Sequence, residues 1–354
     1  MVNTFLPEDL TQKKVIQNIY DELVEKIYKD IHDIDLKCEY LGTIYDIQDR
    51  KNIKAFLLSK DFYNYKVICC EKFWDGIRSF HGNTKIKTIL EGDKSKEFQE
   101  QYDKDRYEEE YKRLNSYRDL SVSKFKELEF MKEMKSTKDI FSYDKLPSDN
   151  RHQILCEMDV LVCPYCNINY TLSYEINDSK KKNSTADLDH FYPKNKYPEY
   201  GLCLYNFVPS CSVCNSRLKN QKDISREKYI FPNEESVEGK AAFKIKNLAE
   251  VMLNQSVECD VILESAVDNS KINNSRKLFK INERYKALNL YTKELIDKSV
   301  IYTDLYTDEL EKLLDKTNVN VKELVFGKNM SEKEYARVSL GKLKNDLLKQ
   351  LGLY

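Results

Sequence analysis

"CPYC" at residues 163–166 and "CSVC" at 211–214 enclose "DLDHFYPK" at 187–194, near the middle of the chain. Two cysteines separated by two residues on one tight turn can direct both thiolates at a single tetrahedral Zn²⁺. One such pair is weak evidence. Two pairs in one short region point to a structural Cys₄ zinc site formed by Cys163, Cys166, Cys211 and Cys214, against the plainer reading of four buried thiols. The loop between the pairs is longer than in a simple zinc ribbon, so the metal would clasp the ends of an inserted element. Cys38, Cys69, Cys70, Cys156, Cys203 and Cys259 lack this pairing logic and read as core residues.

The opening "MVNTFLPEDLTQKK" has no basic stretch followed by an apolar core, and no uninterrupted apolar run of about 18 residues occurs. The expectation is a cytoplasmic protein without membrane contact, in which paired cysteines serve metals better than disulfides. With 354 residues the chain can form one elaborate domain or two to three smaller ones, and its 25 Tyr and 15 Phe exclude a disordered composition. Lys and Arg (58) nearly balance Asp and Glu (59), so any nucleic-acid footprint must be local. Residues 180–228 are such a place, with ten basic residues against five acidic ones. Lys194, Arg217 and Lys219 of that stretch are the candidate nucleic-acid contacts.

Around this centre the pattern is helical. Val15, Ile16, Ile19, Leu23, Val24 and Ile27 line one face of a helix over 9–30. Residues 46–80 leave helix and strand open, with helix the weaker preference. The charge-dense stretch 93–118 reads as a long solvated helix with i,i+4 ion pairs. Ser121 or Ser123 can cap another helix, and "YDKLPSDN" at 143–150 marks a boundary. "SEKE" at 331–334 is a capping box that predicts a last helix carrying Tyr335, Val338, Leu343, Leu347 and Leu351. The expected organisation is a helical region over 1–150, a central module over 151–232 and a mainly helical region over 233–354.

The order "DLDHFYPK", "YNFVPSC" (205–211) and "CNSRLK" (214–219) resembles the HNH, or ββα-metal, endonuclease family in its cysteine-clasped form. The resemblance covers about residues 155–230. It implies a mainly α chain, α+β overall, with a small central ββα-metal module held by the Cys₄ zinc site. Within the family the wording is similar to HNH effectors of bacterial anti-phage systems (PtuB-like), which work beside a separate ATPase.

The residues suit that chemistry. Phosphodiester cleavage needs a deprotonated water and a cation against the charge building on the phosphoryl oxygens. His190 can accept a proton near neutral pH and is the candidate base, whereas His32, His81 and His152 read as structural. Asp189 and Asn215 offer hard oxygen ligands suited to Mg²⁺ or Mn²⁺, and the resemblance assigns the matching positions to the catalytic metal. Asp187, two residues from Asp189 and on the same face of a strand, is a rival ligand or a structural acid. The resemblance also makes Asn206 the residue that braces the histidine, and Lys219 is a candidate phosphate clamp.

The leading expectation is an HNH endonuclease acting on DNA, an effector in anti-phage defence or restriction, with nucleic acid and a separate ATPase or sensor subunit as partners. The alternatives are an RNA-cleaving nuclease, since nothing in the motif reads a 2′-hydroxyl, and a zinc-stabilised nucleic-acid-binding or interaction module without catalysis. No GxxxxGK[ST] loop is present, so nucleotide hydrolysis would belong to the partner.

Overall fold

The computed structural model describes residues 1–31, 37–40, 43–46, 49–68, 70–91, 95–102, 104, 107–133, 137–176, 181–254, 256–265, 269–314 and 320–354. Among these, helices dominate and strands form one three-stranded and three two-stranded sheets. No helix among them is long and apolar enough to cross a membrane. They fall into two units, Met1–Leu10 with Ser148–Pro193 and Phe207–Tyr354, and Thr11–Pro147 with Lys194–Asn206. The stretch 151–232 thus contributes to both units. His32, Cys69, Lys180 and the Cys70 side chain lie outside the description.

In the unit built on Thr11–Pro147, the helix Lys14–Ile31 buries Ile16, Ile19, Leu23, Val24 and Ile27, the face read from the sequence. The segment 46–80 is mixed: helix Arg50–Leu58, strand Tyr65–Ile68 and helix Cys70–Arg78. The strand pairs antiparallel with Lys37–Tyr40, which pairs in turn with Thr43–Asp46. The expectation of one solvated helix over 93–118 is corrected. Helices Ser95–Gln101 and Glu108–Ser116 are separate, and Phe98, Tyr102, Tyr107, Tyr111 and Leu114 are buried with Phe73 and Trp74. Interleaved aromatics bury far more apolar area than surface ion pairs stabilise, so the helices turn inward around Phe73. Ser121 caps the helix Val122–Lys126 through a hydrogen bond from the Lys124 amide. The Lys194–Asn206 loop belongs to this unit because Tyr200 packs on Phe56 and Phe62 and Tyr20 Oη donates to the Leu202 carbonyl at 3.1 Å.

In the other unit, a sheet of Ala241–Ile245 and Val261–Ser265, missed by the helical reading of the C-terminal region, carries the core. The helix Gly341–Gln350 docks on it through side chains: Asp346 accepts from the Phe243 amide at 2.8 Å and Gln350 accepts from the Ile245 amide at 2.9 Å. Lys342, 1% exposed, donates to Glu238 and to Asp346, so this helix buries charge only where it is paired. The expected last helix is divided. The capping box is present, with the Ser331 amide donating to the Glu334 carboxylate at 2.8 Å, but it opens only Glu332–Tyr335. The chain then turns through Leu340, whose φ is 58°, and starts again at Gly341. Of the cysteines outside the two CxxC turns, Cys38, Cys203 and Cys259 are buried as expected, whereas Cys156 is exposed. His152 is buried with its ring nitrogen 3.5 Å from Cys156 Sγ, and His81 is exposed.

Gly341 is required by close approach: a Cβ there would stand 2.4 Å from the Tyr335 carbonyl oxygen. Gly341→Ala should force the last two helices apart and lower the unfolding free energy by about 1–3 kcal/mol, the usual cost of overpacking, as read from the denaturant midpoint.

Candidate functional site

The first cysteine turn closes on itself. The Cys166 and Asn167 amides both donate to the Cys163 carbonyl, at 3.3 and 2.7 Å, and Asn167 takes φ 52°, a left-handed conformation that asparagine tolerates. Asn167 is buried and its side chain is fully engaged: Nδ2 donates to the Tyr335 and Val338 carbonyls and Oδ1 accepts from the Lys342 amide. The Leu340 amide donates to the Asn167 carbonyl at 2.7 Å, so the break in the expected last helix is where the C-terminal segment grips this turn.

The second pair, Cys211 and Cys214, is brought up by the strand Phe207–Ser210. All four sulfurs are buried and lie within 4.8 Å of one another. A Zn–S bond of about 2.3 Å sets sulfurs about 3.8 Å apart in a tetrahedron, so the cluster can hold a metal such as zinc. Asn169 Nδ2 donates to Cys211 Sγ at 3.2 Å and Arg284 Nη1 to Cys214 Sγ at 3.3 Å. Burial alone would lower the Arg284 pKa, but the negative Cys166 and Cys214 beside it raise it above its ordinary value. Hydrogen bonds from Cys163, Cys166 and Cys214 hold the Cys211 thiol well below its usual range. Charge-assisted N–H···S bonds of this kind suit the excess negative charge of a thiolate set.

Beside the cluster, Asp187–His190 pairs antiparallel with Phe207–Ser210, in the register Asp187↔Ser210, Asp189↔Val208 and His190↔Phe207. Seven residues of π-helix, Val213–Lys219, follow directly. Asp187 and Asp189 are alternate residues of one strand and share a face. The helix meets that face twice. Asn215 Nδ2 donates to Asp187 Oδ2 at 3.0 Å, and Lys219 Nζ donates to Asp189 Oδ1 at 2.9 Å and to the His190 carbonyl at 2.6 Å. Asp189 is 3% exposed, and its other oxygen accepts from Tyr165 Oη at 2.7 Å. His190 is buried, its ring edge-on to Phe207 at 5.1 Å.

The structure therefore brings Asp187, Asp189, His190, Asn215 and Lys219 together beside the four cysteines. Lys219, expected as a phosphate clamp, is 1% exposed and holds Asp189 instead. Buried charges need partners, and an acid one strand away is the partner this lysine has. Arg217 is exposed on the same helix. Lys194 and Asn206 fall in the other unit. Lys194 is exposed with Nζ 4.8 Å from the Tyr143 ring centroid, and Asn206 is buried, its Nδ2 donating to the Tyr200 carbonyl at 3.0 Å and closing the loop before Phe207.

Sequence reasoning missed Tyr165, Asn169, Arg284 and Tyr285, whose hydroxyl donates to the Cys166 carbonyl at 2.6 Å. Tyr165 carried a signal, being an aromatic with a polar tip between two ligand cysteines. Arg284 and Tyr285 carried none, because their partners Cys214 and Cys166 lie 70 and 119 residues away in the chain.

Cys166→Ser and Cys214→Ser should each abolish metal binding at the cluster and lower the stability of the metal-loaded protein by several kcal/mol, since a structural zinc contributes on the order of 10 kcal/mol to folding. Metal analysis of the purified variants together with urea unfolding checks this; full metal content in either variant excludes the four-thiolate assignment.

Compared with models of known families, with curated proteins and with solved structures, the chain matches none, so the chemistry of this site is argued from its own residues.

Proposed function

We propose that the chain is a metal-dependent endonuclease of the HNH type that hydrolyses phosphodiester bonds of DNA. The observation that carries this reading is the antiparallel strand pair and following helix that set Asp189, His190 and Asn215 beside a four-cysteine cluster. A zinc scaffold alone accounts for the cysteines. It gives no reason for an acid, an imidazole and an amide at one place.

In this reading zinc at the four cysteines is structural, and Asp189 and Asn215 hold Mg²⁺ or Mn²⁺. Each carboxylate oxygen of Asp189 accepts one hydrogen bond from the protein and keeps lone-pair capacity for a cation, and the half-exposed Asp187 adds a further hard donor. Once bound, such an ion neutralises charge on the phosphoryl oxygens and acidifies a bound water. His190 takes the proton from the attacking water, and Lys219 keeps both Asp189 and the His190 backbone in place. Arg217, exposed on the same helix, contacts backbone phosphate. We assign the protein to anti-phage defence or restriction, working with a separate ATPase or sensor subunit, because the motif wording is similar to such effectors and the chain has no phosphate-binding loop of its own.

One observation favours the second reading, a zinc-stabilised nucleic-acid-binding module without catalysis: Lys219 already sets a fixed cation against Asp189. Nicking of supercoiled plasmid with Mg²⁺ or Mn²⁺, abolished by EDTA, separates the two, and a parallel RNA substrate tests the RNA-cleaving alternative.

His190→Ala should lower cleavage by roughly 10²- to 10⁴-fold at unchanged zinc content, the usual contribution of a positioned base; near-normal nicking by this variant would remove His190 from the mechanism. Asp189→Ala would strand the buried Lys219 ammonium and destabilise by about 3–5 kcal/mol. Asp189→Asn, which keeps an oxygen facing Lys219, should instead abolish cutting with the zinc retained, and normal cutting by it would exclude Asp189 as the acid.

A further inference from the structure

The side chain that joins the cysteine cluster to the candidate hydrolytic site is Tyr165. It occupies the position between proline and cysteine in the first turn, so its backbone moves with the thiolates of Cys163 and Cys166. Its ring is 0% exposed and stacks on Phe279 at 4.5 Å between centroids with planes 17° apart, which fixes the direction of the hydroxyl. That hydroxyl donates to Asp189 Oδ2 at 2.7 Å. Asp189 Oδ1 is taken by Lys219, on the helix that begins at the second cysteine pair. Each oxygen of the acid is thus held from one of the two cysteine turns.

We propose that Tyr165 is a positioning residue that orients Asp189 for the hydrolytic cation, so that closure of the four-cysteine cluster sets the geometry of the second metal site. The proposal rests on reading Asp189 as an acid that holds a cation. A carboxylate clamped on both oxygens keeps only its remaining lone-pair directions, and these are where a hard ion must sit. Without the tyrosine the carboxylate can rotate about its last bond toward Lys219, and a metal must displace that ion pair to bind. The zinc turn then acts on the reaction through one hydroxyl, with no ligand shared between the two metals.

Tyr165→Phe in the full-length zinc-loaded protein removes only the hydroxyl and keeps the stack on Phe279. The expected result is unchanged zinc content and circular dichroism, an Mn²⁺ affinity measured by electron paramagnetic resonance about tenfold weaker than wild type, and plasmid nicking that is reduced at low Mg²⁺ but recovers toward wild type at saturating Mg²⁺. A merely structural role would not move the metal dependence in this way. An Mn²⁺ titration that superimposes on the wild-type curve overturns the proposal, and so does wild-type protein that binds no Mn²⁺. Wild-type protein that binds Mn²⁺ in an Asp189-dependent manner but cuts no nucleic acid overturns the nuclease reading alone, and the Mn²⁺ comparison then decides the positioning role. Should the phenylalanine variant not fold, 3-fluorotyrosine at 165 keeps the shape and alters the hydroxyl's acidity, and an unshifted Mn²⁺ affinity then counts against the proposal.

Discussion

Four buried sulfurs that converge on one point cannot stay there as bare thiolates without something to hold them, and most of what surrounds them in their unit serves that constraint. The first turn is closed by hydrogen bonds to the Cys163 carbonyl, and Asn167 at its end adopts a left-handed backbone that only a few residue types reach cheaply. Asn169 and Arg284 donate to the sulfurs. Tyr285 caps the Cys166 carbonyl, and the 335–342 segment is tied to Asn167 by four hydrogen bonds. A small element built around four cysteines buries little apolar area of its own, so its neighbours supply the rest.

The same convergence accounts for the buried ion pair. Lys219 follows Cys214 by five residues on a widened helical turn, and a lysine at that place ends inside the unit. Its ammonium is tolerated because Asp189 and the His190 carbonyl receive it. An ion pair of this kind adds little net stability compared with apolar packing, yet it fixes which way an acid and a strand face. Orientation at the strand Asp187–His190 is what it supplies.

How much of this is legible in the sequence follows from the range of the interactions. The cysteine pairs, the spacing of Asp187, Asp189 and His190, the amphipathic helix after residue 14 and the capping box at Ser331 are local patterns, set by two- or three-to-four-residue periods that sequence displays directly. The fates of 93–118 and 335–351 were not local. The aromatics in the first were outvoted by charge in the reading, although burial of Tyr102, Tyr107 and Tyr111 around Phe73 outweighs exposed ion pairs. The second is broken at Leu340 by a hydrogen bond to Asn167 that no window of sequence contains. The charge of Lys219 makes it a phosphate clamp in sequence, and only the register of two strands and a helix shows the acid that draws it in. Asn206 and Lys194 were grouped with the site by sequence order, whereas the loop that carries them packs through Tyr200 on another set of aromatics.

The grip of 335–342 on the first cysteine turn also orders events during synthesis. The thiols at 163–214 leave the ribosome well before Arg284, Tyr285 and the segment that satisfies Asn167, so a nascent chain presents four cysteines with only Asn169 of their donors already made. A metal captured then would sit in an open turn, which is sealed only when residues 335–342 dock. Enclosure of the cluster thereby waits for the synthesis of residues 335–342, and a chain cut short before them would carry the cysteines without it.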